Sequence, residues 1–386
     1  MKNESKLLAG SLALFLTVNT YAKQTSIMLS VEEQRITEQH KYDATLGNTK
    51  KLSLFVQQWL LVKNYKQAKQ LLKTEGTRLW SEIKSQVKSQ RRYDDRPLYW
   101  QRLAIKAQIK KQPLKFTETE LESLLEVFEN VSRGYDDIDY RYNTAKQIFI
   151  TGFDPFLLDK NIGQNNPSGL AALSLDDKVI ELNGVKAEIN AVIVPVRYED
   201  FDIGEIESLL APIYINGKVD LVSTVSMGRE HFDLERFPGK RRSVTAPDNL
   251  NVLSGGTVKA PVISKLAGET LSGNEYVEFS LPVAAMQKAK GKFQVIDNVK
   301  VVTLEKGELQ PKLLSELDGL TAVYGSGGGY LSNEISYRSI RLQNRLGTKV
   351  PTGHIHTPRI KEFDEETNKA IVNQIEEMLK QAIITL

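Results

Sequence analysis

The amino-acid sequence predicts an α/β fold with a largely parallel sheet, preceded by an all-helical N-terminal region, and three observations carry that expectation. Between residues 144 and 386, short apolar runs alternate with segments of helical period, the pattern of strands joined by crossover helices. Upstream, from residue 23 to residue 143, the apolar residues recur near a 3.6 period, which argues for helices alone. All three tryptophans, Trp59, Trp80 and Trp100, fall in that upstream part, so a small helical core of its own is expected there.

The chain opens with "MKNESKLLAGSLALFLTVNTYAKQ", which places Lys2 and Lys6 before an apolar run from Leu7 to Val18, then the small-residue pattern Thr20-Tyr21-Ala22. That is the layout of a secretory signal peptide over residues 1–22, cleaved after Ala22, and it implies a periplasmic or extracellular address. The other reading is a buried N-terminal helix. Twelve apolar residues are too few to span a bilayer core of about 30 Å, so no membrane span is expected in the mature chain.

Helices are expected in "LSLFVQQWLLVKNYKQAKQLLK" and "TETELESLLEVFENV", where Thr117 and Glu120 form the two ends of a capping box. The basic stretch "KSQVKSQRR" reads as a solvated face. At "AKQIFITGFDPF" the character changes. Ile148, Phe149 and Ile150 make a continuous apolar run ending in Gly152, the signature of a buried strand, so a second domain is placed from residue 144. Strand-like "INAVIVPV" and "VDLVSTVSMG" flank the helical "DIGEIESLLAPI", and "NVKVVTLE" and "LTAVYGSGGG" supply further strands. In "DEETNKAIVNQIEEMLKQAI", Ile371, Ile375, Met378, Leu379 and Ala382 share one face, so a terminal helix should pack on the sheet.

Composition excludes several function classes. The 386 residues carry 51 basic and 48 acidic side chains, a net +3, too even a balance for a nucleic-acid surface. There is no cysteine, so neither a catalytic thiol nor a thiolate metal site can exist, and an exported chain would rely on core packing rather than disulfides. No cofactor and no metal are expected. Homo-oligomer formation is compatible with the sequence but not specified by it.

In open α/β sheets, sites gather at the carboxyl ends of strands. "TGFDPF", "SMGREHFDLERF", the stretch after "LTAVYG" and "TGHIHTPRI" therefore qualify. In "GGGYLSNEISY", Ser332 is either an N-cap or a nucleophile on a tight turn. A serine nucleophile needs a base and the base an orienting carboxylate, roles open to His356 and Glu235. Each has a structural alternative, since Glu235 beside Arg236 would serve as a surface ion pair, and a histidine as a satisfied polar residue. His354 and His356 share a face on an extended segment, yet as a metal pair they lack a third ligand.

Taken in order, these segments resemble pyroglutamyl peptidase I, the family of cysteine exopeptidases that remove N-terminal pyroglutamate, over about residues 147–360. "ITGFDPF" followed by "NNPSG" is similar to that family's first strand and turn; "GREHFDLER" to the segment with its catalytic Glu; "APDN" to its "IPDN" element; "FSLPVAAMQKA" to its substrate-side helix; "GGYLSN" to its "GTYVCN"-type motif; and "HIHTP" to its "IHVP"-type motif. The resemblance implies a three-layer α/β/α sandwich, catalytic roles for Ser332, His356 and Glu235, and substrate contacts from Phe153, Phe156, Asn166, Tyr330 and Leu331. It implies peptides with N-terminal pyroglutamate as partners.

The departures matter as much. Ser332 stands where the family has its nucleophilic Cys, Thr245 where it has an Arg, with Arg241 and Arg242 nearby, and Leu157 and Leu158 where a glycine pair follows "DPF". The stretch "TVSMG" replaces a glycine-rich one, and residues 23–143 have no counterpart. Two readings follow: a serine variant of the hydrolase, or a catalytically inactive exported homologue that binds peptide N-termini or a protein partner.

Overall fold

A computed structural model describes residues 27–36, 49–113, 115–142 and 145–386. The segment read as a signal peptide lies outside the described residues, as does the domain boundary at residue 144. Among the described residues no helix is long and apolar enough to cross a membrane.

The upstream helices form where the period places them: α1 (Val31–Gln34), α2 (Thr49–Leu61), α3 (Tyr65–Lys88), α4 (Arg96–Lys111) and α5 (Glu118–Ser132). Their starts are chemically marked. Asn64 accepts from the Gln67 amide at 3.0 Å to cap α3. At α5 the expected box closes, with Glu120 N–H donating to Thr117 Oγ1 at 3.2 Å and Thr117 N–H to Glu120 Oε2 at 2.9 Å, satisfying two otherwise orphaned amides.

The main sheet has seven strands: β1 (Lys146–Phe153), β2 (Lys178–Leu182), β3 (Val185–Val194), β4 (Leu221–Met227), β5 (Phe232–Glu235), β6 (Val295–Asn298) and β7 (Thr352–Thr357), in the order β6-β5-β7-β4-β1-β3-β2. The central run β7-β4-β1-β3 is parallel, as is β6 on β5, while β5 on β7 and β2 on β3 are antiparallel. The sheet is thus largely parallel, as expected.

Side-chain alternation along β1 divides the core into layers. Ile148 and Ile150 point to one face, among residues of α6 (Pro167–Leu175) and the terminal helix α11 (Glu365–Ile383). Phe149 and Phe153 point to the other, among residues of α7 (Tyr198–Ile203), α8 (Glu205–Ile215) and α10 (Leu331–Leu346). This is the three-layer sandwich. The five residues assigned to the inner face of α11 are all completely buried.

Three local expectations change. Trp59 and Trp80 belong to the same apolar cluster as Ile148 and Ile150, so the upstream helices share the core of the sheet rather than enclosing their own. The strands in "NVKVVTLE" and "LTAVYG", Val301–Thr303 and Ala322–Tyr324, pair in a separate three-stranded antiparallel sheet with Gly307–Leu309 rather than joining the main sheet. The expected helix in "FSLPVAAMQKA" shortens to one turn, α9 (Val283–Met286), directly after Pro282.

Candidate active site

The carboxyl ends of β1, β4 and β7 meet at one edge of the sheet, where the antiparallel β5 begins, and side chains from these strands build the site. β7 lies parallel to β4 with His354 opposite Thr224 and His356 opposite Ser226. β5 runs antiparallel to β7, with Asp233 opposite His356, so Glu235 lies inward from that edge and reaches the His356 ring. Adjacent positions on a strand face opposite ways, so Glu235 turns inward with 0% exposure, while Arg236 turns outward to Asp297 at 2.6 Å and Glu278 at 3.1 Å. The surface-pair alternative for Glu235 is therefore not what forms.

Inside, Glu235 Oε1 pairs with His356 Nδ1, and Oε2 accepts from Asn298 Nδ2 at 2.9 Å. Asn298 sits opposite Glu235 in the β6–β5 register and also donates to Ser326 O at 3.0 Å. The carboxylate is thus fixed from both sides, and His356 Nε2 has no hydrogen-bond partner among the described residues. Gly228 makes room for it. A Cβ there would stand 2.6 Å from His356 Cβ, closer than real contacts allow.

His354 has a different fate. Its ring is fully buried and held by two hydroxyls, Thr224 Oγ1 on Nδ1 and Ser226 Oγ on Nε2, both at 2.7 Å. Burial, with His356 as a second cause, holds its pKa well below the ordinary histidine value. With both nitrogens occupied, His354 is no partner for His356 in a metal pair.

Ser332 lies at the second position of α10, and Tyr330, not Ser332, is the N-cap residue. Its hydroxyl donates to Gly327 O at 3.4 Å, and it forms no hydrogen bond with His356. The two nonetheless flank one residue: a Cβ built on Gly327 would be 3.5 Å from His356 Cε1. The glycine-rich loop is required by close approach, since a Cβ on Gly329 would lie 2.0 Å from Ser243 Oγ, and Gly328 has φ +90°. As a first-turn residue of a sixteen-residue helix, Ser332 presents its amide at the positive end of the helix dipole.

A cavity of about 80 Å³ opens beside Ser332, lined also by Phe153, Phe156, Asn166, Val196, Ser226, Met227, Tyr330 and Leu331. It is far smaller than the ~300–1,000 Å³ of drug-sized pockets. All five residues named for substrate contact line it. Phe156 and Tyr330 lean on each other at 6.4 Å between ring centroids, and Phe153 stacks on Phe201 at 6.4 Å. Asn166 also has a structural role. It caps α6 by accepting from Ser168 N at 3.1 Å and donates to Asp154 O at 3.0 Å.

The arginines near Thr245 do not reach the cavity. Arg242 is consumed by Glu334 at 2.6 Å and Asp202 at 2.8 Å, and Arg241 by Glu275 at 2.7 Å. Thr245 itself is exposed. Sequence reading missed Val196, Ser226 and Met227 in the lining and Asn298 behind Glu235. For Ser226 a signal existed, since three hydroxyl residues interrupt an otherwise apolar strand in "VDLVSTVSMG".

A family model described as "PA0049, C-terminal domain" matches residues 147–277 and 295–361, and a second, "PA0049 N-terminal domain", matches residues 17–129. The uncharacterized protein PA0049 of Pseudomonas aeruginosa is 27% identical over 395 residues, covering 77% of this chain and 70% of its own. Solved structures with similarity include pyroglutamyl peptidase I from Bacillus amyloliquefaciens, at 18% identity and TM-score 0.42 over 62% of this chain and 97% of that one. Pyrrolidone carboxyl peptidase from Thermococcus litoralis matches at 19% identity and TM-score 0.41, over 62% of this chain and 94% of that one. With its carboxyl-terminal model alone spanning just over half of the residues, the chain belongs to the PA0049 family.

Proposed function

We propose that this chain is a hydrolase that removes N-terminal pyroglutamate from peptides, with Ser332 as nucleophile, His356 as base and Glu235 as orienter. The observation that carries the reading is the buried Glu235–His356 pair, its Nε2 without a partner among the described residues, adjoining the same Gly327 that holds the Ser332 hydroxyl. A binding surface has no use for a base held in one tautomer by a buried carboxylate. The ordered motif resemblance supplies the substrate class, and a small aromatic-lined cavity suits a five-membered ring.

In this mechanism Ser332 Oγ exchanges Gly327 O for His356 Nε2 when substrate binds, as catalytic hydrogen bonds often tighten only in the complex. Oγ then attacks the pyroglutamyl carbonyl carbon and its proton passes to Nε2. The proton goes on to the leaving amine as the C–N bond breaks, and water, deprotonated by the same nitrogen, releases pyroglutamate and restores the hydroxyl. First-turn amides of α10 favour the oxyanion. A hydroxyl also suits an exported enzyme, because it resists the oxidation that disables a low-pKa thiolate.

The second reading, binding without turnover, is favoured by the missing Ser332–His356 bond and by the absence of any arginine from the cavity lining. Release of a fluorophore from a pyroglutamyl amide decides between them. Turnover that falls to the uncatalysed baseline in Ser332→Ala is the expected result. Equal release by both proteins overturns the assignment of Ser332, and no release by either, with both folded, leaves the binding reading.

A further inference from the structure

Every position of β4 is buried, yet it carries Ser223, Thr224 and Ser226. Two of these hydroxyls clasp the His354 ring, Thr224 on Nδ1 and Ser226 on Nε2. The direction of each hydrogen bond follows from proton counting. With the Thr224 hydroxyl proton directed at Gly353 O, 3.4 Å away, Thr224 accepts from His354 and Nδ1 carries the hydrogen. A neutral imidazole has a single N–H. Nε2 is therefore bare and Ser226 donates to it.

Ser226 lines the cavity beside Ser332. With its proton committed to His354, it presents only lone pairs to a ligand. The pair has the spacing of a nucleophile and its base, but His354 is completely buried, has no carboxylate among its hydrogen-bond partners and packs 4.9 Å from the His356 ring. Such a ring is a poor store for the proton that a base must take. What the relay can do is fix polarity: an otherwise largely apolar cavity acquires an acceptor of defined direction at the end of β4.

We propose that Ser226 is a specificity-determining acceptor that selects ligands whose compact apolar body carries an N–H or O–H donor facing the end of β4. This rests on the reading of the cavity as the substrate pocket, and it narrows that reading to rings bearing a donor, such as a lactam, against isosteres that place an acceptor there. Leaving a buried acceptor unpaired, or facing another acceptor, costs more than a good contact gains.

The test is binding by calorimetry of 2-pyrrolidinone and γ-butyrolactone, rings of one shape that differ by N–H against O. The protein should hold the lactam about 10- to 100-fold more tightly. Ser226→Ala should bring that ratio close to one by weakening the lactam alone. A ratio unchanged in Ser226→Ala overturns the proposal, and so does failure of the lactam to bind. Long-range nitrogen–proton NMR of the unsubstituted protein gives an independent check, with His354 Nδ1 protonated and Nε2 bare; the opposite tautomer overturns it. Ser332-dependent turnover is scored separately. Turnover without ring discrimination sinks this inference alone, and discrimination without turnover sinks the hydrolase alone.

Discussion

Glu235 and Arg236 are neighbours in sequence and strangers in space, because successive strand residues face opposite ways. The burial of Glu235 between His356 and Asn298 leaves each of its oxygens one donor. Glu235→Gln keeps the shape and breaks that match, since the new amide N–H₂ must face either Asn298 Nδ2 or the protonated His356 Nδ1, donor against donor. Activity on a pyroglutamyl amide should fall by about 10²- to 10⁴-fold, in line with the loss of a triad orienter, while the melting temperature moves by only a few degrees. Unchanged kcat with the fold intact would remove Glu235 from the machinery. At this scale the Glu235–His356 pair was legible because motif order points to both residues, and the same order singles out Ser332 as a candidate. Ser226 was not, since its meaning lies in a histidine 128 residues away. For Asn166, which lines the cavity, sequence could not show that its side chain also caps a helix.

The elements around the site explain two departures that look damaging in sequence. Leu157 sits at φ +59°, the left-handed region that favours glycine, and Leu158 beside it is 2% exposed. Leu158 packs with Tyr99, Trp100 and Leu103 of α4. The second leucine is thus an anchor for the upstream helices, and the first absorbs the turn that aims it. Asp154 in the same loop is tied to those helices too, by Arg102 at 2.5 Å and Arg133 at 2.6 Å. Leu158→Ala should destabilise by about 2–5 kcal/mol, the usual range for emptying a packed leucine site. Leu157→Gly should stay within about 1 kcal/mol of the natural protein, since relief of a left-handed leucine offsets the added chain entropy. Denaturant melts of the two variants make the comparison, and equal losses would show that Leu158 is not the anchor. The resemblance read from the sequence sets Leu157 and Leu158 where its family has glycines; the surface Leu158 serves became visible only with α4 in place.

Across the whole molecule, the parallel sheet and terminal helix were readable from periodicity, whereas the relation of the upstream helices to them was not. Trp59 and Trp80 announced a core but could not say whose. The structure answers by continuity, as Leu72, Leu79 and Ile83 of α3 share one cluster with Ala171 and Leu175 of α6 and Ile150 of β1. Charge reinforces it. Lys84 of α3 is drawn between Asp137, Asp176 and Asp177, reaching the last two at 2.7 and 2.8 Å. Asp95, fully buried, accepts the Asn166 amide at 2.9 Å. Removing the helices would expose the outer side of α6, leave Asp154 buried without Arg102 and Arg133, and uncouple the loop that carries Phe153 and Phe156. A domain able to fold alone needs its own closed core. Residues 145–386 produced by themselves should therefore lack a cooperative melt and show poorly dispersed amide resonances, while the full chain shows both signs of order. Supplying residues 27–142 in trans should restore dispersion if the shared core is the cause. A cooperative melt and native dispersion from residues 145–386 alone would show instead that the helical layer is an accessory, and that the site loops hold their shape without it.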